Sequence, residues 1–242
     1  MKINTHYFSL CLIASLFSFP VWGEVNNLDP WEPMNRKVDA FNAGFDKYFL
    51  VPVAKGYNIV MPEPANIGVS NFINNTLEVN TMLNSTLQVK PKNLSLSFAR
   101  FCINLTLGFF GLFDAATELG VLANKEDFGQ TFAWWGAPQG PYIVLPFLGP
   151  STIRDGLGLY PDIYVNPLIT DNVSLRNASF ALFFVDKRAE LLEAETLITG
   201  DRYVFMRNAY LQHRTYLNND GLVKDNFGDD VEEDDDWLND DF

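Results

Sequence analysis

The chain has 242 residues, 48% of them hydrophobic and 19% charged, with a formal net charge of −13. Ten of its 30 acidic residues fall in 225–242, where there is no Lys or Arg, so the rest carries 17 basic against 20 acidic residues and is only −3. Nucleic acid is excluded as a partner, because phosphate binding needs clustered basic residues and none occur. The two cysteines are Cys11 and Cys102, so at most one disulfide could form, and none if Cys11 is removed with an N-terminal signal.

At the N-terminus, Lys2 precedes an uncharged run from Tyr7 to Phe19, followed by Pro20 and Val21-Trp22-Gly23. A basic start, a short apolar core and a small-residue exit form a cleaved secretory signal, with cleavage expected between Gly23 and Glu24. The run is shorter than the ~20 residues that a membrane-spanning helix needs. A lipoprotein signal would place a Cys at the cleavage point after a small residue. Cys11 follows Leu10 inside the apolar core, so it reads as a hydrophobe removed with the signal. The organisation expected is a signal peptide over 1–23, one helical domain over 24–224 and an acidic, unstructured tail over 225–242. Cys102, between Phe101 and Ile103, then reads as an inert packed thiol.

Within the body, Val38, Phe41, Phe45 and Tyr48 recur at steps of three and four, which predicts a helix over Asp29 to Tyr48. Asp29 as cap and Pro30 at the first helical position would start it. Val51-Pro52-Val53 and Pro62-Glu63-Pro64 read as extended connections, since a residue before Pro avoids the α region. Shorter helices are expected over Gly68 to Leu77 and Thr81 to Gln88. Lys92 to Leu107 is the clearest amphipathic helix before the midpoint. From Phe128 to Ile153 there are 26 positions without a charge, yet four Pro and four Gly prevent a continuous helix. In hydrocarbon an irregular backbone survives only inside protein or along a wet cavity, so the stretch reads as core or as cavity lining. Ala178 to Leu197 predicts another amphipathic helix, and Asp201 caps a last one over Arg202 to Leu217. Alternating patterns are scarce, so the fold class is mainly α with little or no sheet.

The side chains that carry enzyme chemistry are sparse. Beyond the signal there is one histidine, His213, on a helix whose surface it should share, and no G-x-S-x-G elbow. One His and one Cys make a poor zinc set. Asp114/Glu118 and Glu126/Asp127 are carboxylate pairs at spacings that solvated or capped helices also show. No phosphate-binding or dinucleotide fingerprint occurs. The reading is a non-enzyme without cofactor.

Several strings together resemble the MlaA/VacJ family of outer-membrane lipoproteins. They are Asp29-Pro-Trp-Glu-Pro-Met-Asn-Arg36, Pro52-Val-Ala-Lys-Gly-Tyr57, Pro62-Glu-Pro64 with Gly68-Val-Ser-Asn-Phe72, Asn104-Leu-Thr-Leu-Gly108, Gly111-Leu-Phe-Asp-Ala115, Glu126-Asp-Phe-Gly-Gln-Thr131, and the long run from Gly140 to Gly156. The resemblance implies a ring-like arrangement of amphipathic helices around a central channel, seated in the inner leaflet of the outer membrane. It implies non-enzymatic intermembrane phospholipid transport, in which mislocalised phospholipid leaves the outer leaflet and passes to a periplasmic lipid-carrying protein, with trimeric porins as partners. The family is anchored through an N-terminal Cys, which this chain does not place at a cleavage point. Amphipathic helices and partners would then hold it on the periplasmic side of the outer membrane. Channel-lining candidates are Leu107, Phe109, Phe110, Leu112 and Phe113 in one stretch, and Tyr142, Val144, Leu145 and Phe147 in another; plain core packing is the competing reading for both. Two other functions stay open: a porin-associated envelope scaffold that moves no lipid, and a lipid hydrolase. The tail either docks a basic partner or simply keeps the chain soluble.

Overall fold

A computed structural model describes residues 28–168, 172–192, 198 and 200–222. The expected signal peptide, its Gly23/Glu24 cleavage point and the acidic tail lie outside the described residues. The described chain is mainly α: α1 (Glu32–Phe45), a π turn (Asp46–Leu50), α2 (Val51–Val60), α3 (Glu63–Leu87), α4 (Pro91–Thr106), α5 (Ala115–Glu118), α6 (Phe128–Trp134), β1 (Tyr142–Leu145), β2 (Gly149–Thr152), α7 (Ile153–Val165), α8 (Val173–Glu190) and α9 (Arg202–Asn218). The two strands form one antiparallel hairpin with Tyr142 opposite Thr152 and Leu145 opposite Gly149.

Four expectations change. α1 starts at Glu32 with Trp31, not Asp29, at the cap position and Pro33 in its first turn, and the buried Asp29 carboxylate accepts from Asn35, Tyr203 and Arg207. Val51-Pro52-Val53 and Glu63-Pro64 are helical rather than extended, because Pro52 and Pro64 fall in the first turns of α2 and α3, where a missing N–H is not needed, while Pro62 stays extended. The two short helices after Gly68 are one 25-residue helix, α3. It passes through Glu78 and Asn80 because its polar face is packed rather than left in water, and tertiary packing overrides weak propensity. The helix expected from Ala178 begins earlier, at Val173, and ends at Glu190, while 193–197 lie outside the described residues. α4 and α9 stand within a residue of expectation, and Asp201 caps α9 by accepting from the N–H groups of Tyr203 and Val204.

α3 and α4 form an antiparallel hairpin, and its interior is polar. Arg100 donates from Nε to Glu78 at 2.9 Å and from Nη2 to Asp114 at 3.1 Å. Asn104 donates to Asp114 at 3.0 Å and accepts from the Ala116 N–H at 2.8 Å. Burial is inverted throughout. Among the described residues the fully buried set holds seven apolar side chains, three of them alanines, against 21 polar or charged ones. Forty large apolar side chains of the described residues are exposed. A water-soluble monomer shows the opposite partition, with contiguous apolar surface kept small. No helix of the described chain is long and apolar enough to cross a membrane.

Candidate functional site: an amphipathic cavity

A cavity of about 400 Å³ opens between α3, α6, α7, α8, α9 and the hairpin. α7 supplies the largest share. Asp155, Leu159, Asp162, Ile163 and Asn166 all line it, at offsets of four, seven, eight and eleven from Asp155, which is one face of a helix. α8 adds Ser179, Phe180, Phe183 and Phe184, and α9 adds Tyr210 and Arg214 one turn apart.

Close contact between α6 and α7 sets the polar end. A Cβ at Gly158 would lie 2.6 Å from the Gly129 backbone nitrogen, and one at Gly129 would lie 2.6 Å from both Arg214 Nη2 and Asp155 Oδ1. Only glycine at both positions lets the helices and the guanidinium meet. Arg214 donates from Nη1 to Asp127 at 2.5 Å and from Nη2 to Asp127 and Asp155, both at 3.0 Å. Tyr210 donates its hydroxyl to Asp155 at 2.8 Å. Asp127 also caps α6, accepting from the Gln130 N–H at 2.8 Å.

The carboxylates differ in their surroundings. Burial pushes Asp155 up, but the Arg214 and Arg154 charges, with hydrogen bonds from Tyr210 and Thr152, outweigh it and hold the group below the ordinary range. Asp162 accepts from Asn80 Nδ2 at 2.9 Å and from the Phe128 N–H at 3.2 Å, and forms no ion pair among the described residues. Burial raises its pKa to about 6, with Asp127 adding to the rise and the Asn80 bond opposing it.

The nine candidate channel residues separate. Leu145 lines the cavity. Tyr142 and Val144 are buried in the small apolar core with Tyr203, on the side where Asn35 accepts from the Val144 N–H and donates to the Tyr142 carbonyl. Phe147 sits exposed at the hairpin tip, edge-on to Phe41 and Phe45. Asn42 clamps that tip, donating to the Leu145 carbonyl at 2.9 Å and accepting from the Phe147 N–H at 2.8 Å. Leu107, Phe109, Phe110, Leu112 and Phe113 are all exposed in the turn after α4. Phe109 and Phe110 both have positive φ, 51° and 61°. Asp114 and Glu126, considered as parts of carboxylate pairs, serve ion pairs with Arg100 and Lys90. His213 is exposed on α9, as expected. Cys102 is a half-buried free thiol.

Sequence reading missed Asp155, Asp162, Asn80 and Arg214. The seven-residue step between Asp155 and Asp162 was the available signal, and it becomes meaningful only once α7 is known to be a helix.

The profile of the MlaA lipoprotein family matches residues 27–217. The Escherichia coli (strain K12) protein named "Intermembrane phospholipid transport system lipoprotein MlaA" is 33% identical over 202 residues, covering 81% of this chain and 80% of that protein. The protein of the same name from Haemophilus influenzae is 32% identical over 215 residues, covering 84% of this chain and 85% of its own. A solved chain described under "Structural basis for maintenance of bacterial outer membrane lipid asymmetry" superposes with a TM-score of 0.69 at 32% identity, over 79% of this chain and 99% of that one. The match runs through the helices that build the cavity, and the chain belongs to the MlaA lipoprotein family.

Proposed function

We propose that this protein moves phospholipid between the membranes of the cell envelope without chemically altering it, taking mislocalised lipid from the outer leaflet of the outer membrane and passing it to a periplasmic lipid carrier. The inverted burial carries the reading: among the described residues 21 polar side chains are packed inside while 40 large apolar ones face outward. In water such an exterior would aggregate, and in acyl chains it is at home. The relatives' names and the solved chain's concern with lipid asymmetry support the same reading.

In this reading amphipathic helices seat the protein in the inner leaflet of the outer membrane, ring-like around a lipid path. The cavity of about 400 Å³ holds the headgroup and the adjoining acyl segments, a volume within the range of ligand pockets. Leu145 faces that path, while the exposed turn from Leu107 to Phe113 dips into acyl chains. The apolar surface contributes to attachment, with trimeric porins as partners.

Extraction of the full chain from membranes in mild detergent, followed by mass spectrometry, tests the proposal. Intact phospholipid carried through purification is the expected result. An envelope scaffold would release none, and a hydrolase would leave lyso-lipid and free fatty acid.

A further inference from the structure

Charges at the polar end of the cavity do not balance. Asp127 is held by both terminal nitrogens of Arg214, and Asp155 by Arg214 and by Arg154 Nε at 3.1 Å. Two guanidinium groups thus answer two carboxylates. The third carboxylate, Asp162, has a neutral amide and a backbone N–H as its hydrogen-bond partners among the described residues, and no guanidinium or ammonium paired with it there. Asp162 is half-buried and lines the cavity. Leu159 and Ile163 flank it on α7, and Phe180 and Phe184 stand on α8 across the same space. The cavity therefore presents one uncompensated negative charge next to an apolar wall.

A ligand matched to that arrangement is an amphiphile whose polar end carries a cationic hydrogen-bond donor. A primary ammonium offers three N–H donors as a compact charge, and Asp162 has lone pairs left to accept them. Arg214, on the same wall, carries a guanidinium charge that a phosphate oxygen would approach. That second contact is open to every phospholipid, whereas the first discriminates. A headgroup with a net negative charge and only hydroxyl groups beyond its phosphate leaves Asp162 unanswered and adds a like charge beside it.

We infer that the cavity selects phospholipids with an ammonium-bearing headgroup, of the phosphatidylethanolamine class, over net-anionic phosphatidylglycerol, with Asp162 as the specificity-determining residue. The inference rests on the lipid-transport reading above and adds the headgroup to it.

The test loads purified full-length protein from mixed vesicles of phosphatidylethanolamine and phosphatidylglycerol, in equal amounts and with identical acyl chains, and measures the ratio of bound lipids by mass spectrometry. Wild-type protein should enrich phosphatidylethanolamine about five-fold, the scale of a solvent-screened charge pair. Asp162→Glu should keep the enrichment and Asp162→Asn should bring the ratio close to that of the vesicles. Equal binding of both lipids by the wild type, or a preference for phosphatidylglycerol, overturns the inference while leaving lipid transport standing. Enrichment that survives in Asp162→Asn overturns the assignment to this residue. Recovery of no lipid of either kind overturns the transport reading and this inference with it. The wild-type ratio decides the headgroup class even where the Asn variant fails to fold.

Discussion

Arg214 is the residue on which the polar end of the cavity depends. It joins α9 to Asp127 at the start of α6 and to Asp155 on α7, so three elements meet at one guanidinium. Removing one partner of a buried ion pair leaves the others uncompensated in a poor solvent, which is worse than removing the whole set. Arg214→Met should lower stability by about 3–5 kcal/mol in denaturant titrations of the detergent-solubilised protein. Arg214→Lys should recover only part of this, because an ammonium cannot satisfy Asp127 and Asp155 in the same fork geometry. Asp162 makes the opposite case. Its folded pKa of about 6 lies above the ordinary carboxylate value, so the folded state holds a proton that the unfolded state has released. Stability from this group is therefore full at low pH and falls as pH rises through the window up to about 6. Asp162→Asn removes that loss. The stability difference between variant and wild type should grow in the variant's favour by roughly 2 kcal/mol between pH 4 and pH 7. A pH-independent difference would contradict the burial argument.

Among the elements, α7 shows how packing decides what sequence pattern leaves open. Gly156, Gly158 and Pro161 within thirteen residues argue against a helix by propensity. No periodicity marks the stretch as a helix, so the shared face of Asp155, Leu159 and Asp162 is not legible in the sequence. Thr152 starts the helix by accepting from the Asp155 N–H, and Gly158 lets it press against α6. Gly158→Ala places a methyl against backbone that has no side chain to move aside. It should destabilise by about 1–3 kcal/mol and weaken lipid retention with it. The turn after α4 stores strain, with Phe109 and Phe110 in a region that costs a residue other than glycine roughly 1–2 kcal/mol. Both rings are exposed, which makes a membrane-facing role the compensation under the proposed function. Phe110→Gly should leave thermal stability in detergent unchanged or raised while reducing flotation with vesicles. A fall in both would mean that the ring is needed for packing. By contrast α4 is legible in the sequence from its amphipathic periodicity and α9 from its Asp201 cap.

At the scale of the whole molecule, the mainly α class and the family strings could be read from sequence, whereas the direction in which side chains face could not. Helical periodicity identifies two faces without saying which solvent each one meets. In α3 the inward face carries Ser70, Glu78, Thr81 and Ser85, residues that a hydropathy argument would place outside. The stretch from Phe128 to Ile153, which by sequence reads as core or as cavity lining, supplies both: Tyr142 is core, while Leu145, Pro150 and Ser151 line the cavity. An apolar exterior of this kind should quench when it meets lipid. Trp134 and Trp135, both exposed, should lose fluorescence in vesicles with brominated acyl chains, and unchanged emission would place them in water. The central claim is that phospholipid occupies the cavity, and it can be tested with a photo-crosslinking amino acid at Ser179, which lines the cavity from α8. On illumination in native membranes, position 179 should form a phospholipid adduct that is lost when Leu159→Trp fills the same space. A protein that labels lipid only from outward positions such as Ile59, with none at 179, would contradict the account.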